Sequence, residues 1–155
     1  MDAHTGSVSL QIASPRGMAA VRARVPTAQI PATFRTYLDQ VYATARKGGL
    51  PIDGQNIFVY RTTNDPKELD VEFGVGVTSR FAPNGSIVYS ELPVGEVATA
   101  THWGDYAKLG DTHNAVIDWC KANNRKRTGT RWEIYGHWYD DPTKIRTDVY
   151  WLLEP

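Results

Sequence analysis

Between positions 7 and 13 apolar and polar residues alternate. Val8, Leu10 and Ile12 fall on one side and Ser7, Ser9 and Gln11 on the other, the period-two pattern of a half-buried strand. Pro15-Arg16-Gly17 predicts a turn. Positions 18–25 predict a second strand, with Ala19, Val21, Ala23 and Val25 on one face and Arg22 and Arg24 on the other. The period then changes: Phe34, Tyr37, Leu38, Val41, Tyr42 and Ala45 form one apolar stripe at helical spacing. Pro31 suits the first turn of that helix and Gly48-Gly49 its end. β-Branched and aromatic residues predict a strand over 57–61, Asn64-Asp65-Pro66 a turn, and 69–78 another strand.

The same plan recurs. After the tight-turn pair Asn84-Gly85, strands are predicted over 87–92 and 97–103, with a turn at Pro93 and Gly95 between them. A helix over about 112–123 follows, with Val116, Trp119, Cys120 and Asn123 at helical spacing and Asp111 placed to cap it. Strands over 132–139 and 146–153, joined through Asp140-Asp141-Pro142, complete the second half. Pro15 and Gly17 recur as Pro93 and Gly95, Tyr60 as Trp138, Phe73 as Trp151, and Asp70-Val71 as Asp148-Val149, all 78 positions on. The chain therefore reads as a single domain over 1–155 made of two strand-strand-helix-strand-strand repeats, about 7–78 and 86–155. The expected fold class is α+β: about eight antiparallel strands with pseudo-twofold symmetry, two helices on one face and a ligand cleft on the other. The seam between repeats is the default place for a small-molecule pocket.

Charge removes one class of function. Seventeen basic and seventeen acidic residues cancel, so the basic excess of a nucleic-acid binder is missing. Lys121, Arg125, Lys126, Arg127 and Arg131 read as a solvated helix end and loop. Cys120 has no second cysteine to pair with, which fits a reducing compartment. No basic-then-apolar leader opens the chain and no membrane-length apolar run follows, so a soluble, cytoplasmic protein is expected.

Standard catalytic motifs are missing. His4, His102, His113 and His137 do not have H-E-x-x-H spacing, and there is no G-x-S-x-G or phosphate-binding glycine loop. No metal and no cofactor are expected. Gly74 and Gly76 read as a strand bend or a close approach to the backbone. The helix-stripe residues Phe34, Leu38, Val41 and Trp119 are assigned to the core. The informative segment is Arg131-Trp132-Glu133-Ile134-Tyr135-Gly136-His137-Trp138. Alternation puts Glu133, Tyr135 and His137 on one face, unless Gly136 introduces a bulge. Glu133 is then either a rim carboxylate bonded to Arg131 or water, or an acid facing an aromatic-lined cleft. In the second case a cationic ligand supplies the charge that a desolvated carboxylate lacks, and aromatic faces add about 0.5–2 kcal/mol each.

Leu92-Pro93-x-Gly95, His102-Trp103-Gly104-Asp105-Tyr106, Trp119, Trp132-Glu133-x-Tyr135 and Thr147-Asp148-Val149-Tyr150 come in the order found in the GyrI-like family, the effector-binding domain of bacterial multidrug and AraC-type regulators. The sequence resembles that family over about 65 residues of the second half. It departs from the family pattern at Gly74-Val75-Gly76-Val77 and at Trp151-Leu152-Leu153. The resemblance implies a duplicated fold with a cleft between repeats for bulky, often cationic, aromatic compounds. It makes Glu133 the central ligand contact, with Tyr135 beside it and Tyr106 as a wall. Trp103, Tyr60 and Phe73 are further candidates for ligand contact. The expected function is a stand-alone small-molecule-binding protein for drug sensing or sequestration, with no direct nucleic-acid or membrane binding. One alternative, also implied by the family, is hydrolysis of cyclopropane-containing alkylating compounds, with Glu133 as general base and Tyr135 or Tyr106 as proton donor. Another is an adaptor that holds a protein partner.

Overall fold

The computed structural model describes residues 4–155. In chain order its elements are β1 (His4–Thr5), β2 (Ser9–Ala13), β3 (Gly17–Pro26), α1 (Ile30–Gly48), β4 (Ile52–Thr62), β5 (Glu68–Val77), β6 (Val88–Glu91), β7 (Gly95–Trp103), α2 (Leu109–Ala122), β8 (Arg127–Tyr135) and β9 (Arg146–Leu153). Strands pair antiparallel and each helix packs on a sheet, giving an α+β fold. No helix among the described residues is long and apolar enough to cross a membrane.

Two compact units divide the chain. The unit over Pro15–Leu92 has the strand order β4-β5-β3-β6. Its helix α1 buries Val41 and Ala45 and stops at Gly49, whose left-handed φ of 65° and N–H bond to the Ala45 carbonyl cap the last turn. Beneath α1, Tyr37 stacks on Phe73 at 4.9 Å, and Phe58 meets Phe73 edge-on at 5.3 Å. Asn84 and Ile87 exchange backbone bonds of 2.9 and 3.0 Å around Gly85, the tight turn expected there.

The other unit joins the segment up to Ser14 with Pro93–Pro155. Its order is β8-β9-β7, with β2 pairing β7 over 95–99 and β1 pairing it at His102 and Trp103. Ala98, Ala100, Val149, Trp151 and Leu153 from the sheet close on Leu109, Val116 and Cys120 of α2, with Trp119 packed at the margin. The compact units are thus cut at different places from the sequence repeats. β2 pairs with a strand of the second repeat, and β6 pairs with β3 of the first.

Strands β4 and β8 begin five residues earlier than expected, and two further boundaries differ near Glu133. Helix α2 begins at Leu109, preceded by a turn of 3-10 helix over Tyr106–Lys108, so Asp111 lies in the first turn and is not the cap. His102 bonds on both sides of that start: it meets the Thr112 hydroxyl through Nδ1 at 2.8 Å, and its Nε2–H donates to the Asp105 carbonyl at 2.8 Å. Strand β8 stops at Tyr135, short of 139. There the Gly136 N–H donates to the Arg146 carbonyl at 2.8 Å, and a Cβ on Gly136 would lie 2.9 Å from that oxygen.

Candidate functional site

Strand alternation sends Glu133 and Tyr135 to one face of β8, as expected, but His137 falls outside the strand and is exposed. Glu133 lies opposite Val149, which packs under α2. The acid is therefore on the helix-bearing side of its sheet, whereas the sequence pattern suggested a cleft on the opposite side. At 5% exposure it is not a rim residue.

Both carboxylate oxygens accept short hydrogen bonds. The Tyr135 hydroxyl donates to Oε1 at 2.6 Å, and His113, from the first turns of α2, meets Oε2 through Nε2 at 2.7 Å. On the far side of the imidazole, the Trp151 indole N–H donates to His113 Nδ1 at 2.9 Å. An indole N–H only donates, so Nδ1 must accept and the imidazole proton sits on Nε2. The His113–Glu133 contact is accordingly a hydrogen bond from a neutral ring to a carboxylate. The Trp151 ring also has the guanidinium groups of Arg127 and Arg131 at 5.2 and 5.0 Å from its centroid.

Aromatic side chains continue outward from the acid. Tyr106 meets Tyr135 edge-on at 5.4 Å and Trp138 at 5.9 Å, and both Tyr106 and Trp138 are exposed. Partial burial pushes the Tyr106 phenol up, so its hydroxyl stays protonated at neutral pH. The His102–Asp105 bond places Tyr106 by holding the backbone just before it. Opposite Tyr135 in register, the Thr147 hydroxyl is fully buried and has no hydrogen-bond partner among the described residues.

Of the expected site residues, the structure brings Glu133, Tyr135 and Tyr106 together. Trp103 instead lies under the Arg146 guanidinium, 5.6 Å from its centroid. Tyr60 is on β4 of the other unit, opposite Val71. Phe73 is fully buried beneath α1, which makes it a core residue of that unit. Sequence reasoning missed His113, Trp151 and Trp138. His113 stands one turn before Val116 and two before Cys120 on the buried stripe of α2, the one signal that pointed to it. Among the described residues no three His, Cys, Asp or Glu side chains gather to hold a metal ion.

Solved structures share this fold. The C-terminal domain of EcmrR matches with a TM-score of 0.77 at 20% identity, over 96% of this chain and 97% of that one. SAV2435 bound to tetraphenylphosphonium matches with a TM-score of 0.70 at 10% identity, over 96% and 94%. A hydrolase from Listeria innocua matches with a TM-score of 0.62 at 11% identity, over 95% and 91%. At such identities the likeness is one of fold. No curated protein gives a sequence match. The sequence model of the GyrI-like small molecule binding domain matches residues 8–154, and the chain belongs to that family.

Proposed function

We propose that this protein binds a hydrophobic organic cation, with Glu133 as its counter-charge and Tyr135, Tyr106 and Trp138 as its aromatic neighbours, and so senses or sequesters such compounds. The observation that carries the reading is a carboxylate at 5% exposure whose bonded tyrosine begins a run of rings leading to the surface. A buried carboxylate keeps its charge at a cost, and a cation arriving at the site recovers part of it. The tetraphenylphosphonium complex of a protein with the same fold supports the choice of ligand class. Titration with tetraphenylphosphonium and with a neutral aromatic of similar size tests it. Glu133→Gln should weaken the cation by at least tenfold, about 1.4 kcal/mol, and the neutral compound little. Equal losses for both would remove Glu133 as the charge partner.

One observation favours a second reading, hydrolysis of an electrophilic small ring. The sequence offered no second titratable group beside Glu133, but His113 stands 2.7 Å from it, with the Tyr135 hydroxyl at 2.6 Å. A carboxylate base with an adjacent O–H donor is a workable pair for adding water across a strained bond. Mass spectrometry decides between the readings: turnover gives a product heavier by one water, and binding alone returns the ligand unchanged.

A further inference from the structure

The unit over Pro15–Leu92 carries a second concentration of charge that the Glu133 reading does not use. On the face of β3, β5 and β4 away from Phe73 and α1, Arg22 pairs across from Glu72, and Arg24 and Arg61 both lie across from Asp70. Glu72 is 4% exposed and draws in two guanidinium groups. Arg61 donates through Nη1 to Oε1 at 2.7 Å, and Arg22 through Nε to Oε2 at 3.1 Å. Burial pushes the Glu72 carboxyl up, but hydrogen bonds from Ser90, Arg61 and Arg22 outweigh it and hold the group below the usual carboxylate range. One buried negative charge therefore anchors two positive ones.

The geometry leaves most of each fork unused. Arg22 and Arg24 bond their carboxylates through Nε alone, so their paired terminal nitrogens have no protein partner among the described residues. Side-chain exposures of 62% for Arg22 and 38% for Arg61 keep these guanidinium groups reachable. Two adjoining depressions, about 360 and 550 Å³, share Arg22, Arg61 and Glu72, and the larger also takes in Arg80 and Tyr89. Arg80 lies over the Tyr89 ring at 5.1 Å, and its pairing with Glu91 at 3.5 Å is exposed on both sides and contributes little. A guanidinium fork matches the paired oxygens of a phosphate or carboxylate.

We propose that this arginine face is a second ligand site, for a small multivalent oxyanion of the phosphate or polycarboxylate class, with Arg22, Arg61 and Arg80 as its contacts. Glu72 is a positioning residue there, holding two of the three guanidinium groups in place. Glu133 does not line either depression.

Isothermal titration of the full chain with pyrophosphate and with citrate, at ionic strength matched with sodium chloride, tests the proposal. Saturable binding is expected, at least tenfold weaker in Arg22→Gln and in Arg80→Gln, and unchanged in Glu133→Gln and in the α1 surface variant Arg46→Gln. Arg22→Gln removes the longer of the two ion pairs to Glu72, at 3.1 Å, and leaves the 2.7 Å pair with Arg61 in place. Stronger binding of one probe assigns the class within the proposal. No saturable heat from either probe would overturn it. So would equal weakening in Arg46→Gln, which signals charge screening, or binding of a DNA duplex at these arginines with neither small anion bound.

Discussion

Replacing His113 by leucine tests the hydrogen-bonded row on which the Glu133 site is built. The change removes the Nε2–H donated to Glu133 at 2.7 Å and the acceptor that Trp151 uses at 2.9 Å, between side chains that are 17% and 7% exposed at the histidine and glutamate. A hydrogen bond to a charged group contributes about 1.5–3 kcal/mol and a neutral one about 1 kcal/mol, while leucine preserves most of the packing. The expected loss is therefore about 3 kcal/mol, which lowers Tm by roughly 6–12 °C in a chain of this size. Thermal or urea unfolding measures it, and a double-mutant cycle with Glu133→Ala isolates the pair. A coupling of about 1.5–3 kcal/mol is expected. Coupling below about 0.5 kcal/mol would show that the two side chains act independently and refute the hydrogen bond between them.

Three further outcomes are expected. Thr147→Val swaps a buried hydroxyl without a partner among the described residues for a methyl of the same shape, so urea unfolding should show a gain of up to roughly 1 kcal/mol; a loss would reveal a partner for that hydroxyl. The folded Glu72 carboxyl is held below its unfolded value, so its contribution is fully present above the ordinary carboxylate range and is lost as pH falls through the lowered folded value. Glu72→Gln should flatten the acid limb of a stability-against-pH curve, and an unchanged limb would count against the ion pair. Gly136→Ala puts a methyl 2.9 Å from the Arg146 carbonyl oxygen and should cost about 1–3 kcal/mol in urea, whereas a neutral result would mean the chain yields there freely.

Much of this protein is legible in the chain itself because its signals are local. The apolar stripes fix which faces α1 and α2 bury, Gly49 stops a helix through its left-handed backbone, and Asn84-Gly85 turns the chain where expected. Alternation along β8 was enough to put Glu133 and Tyr135 on one face, and a 2.6 Å bond joins them. Only tertiary structure decided the rest, because it depends on which distant segments meet. No pattern along β2 or β6 records that each pairs with a strand of the opposite repeat, since edge pairing is set by backbone hydrogen bonds that any residue supplies. The helical stripe of α2 does not record that His102 of β7 bonds the Thr112 hydroxyl inside it. The proton position on His113, and with it the character of its contact to Glu133, is set by Trp151, 38 residues further along the chain, whose indole N–H has nothing to do but donate.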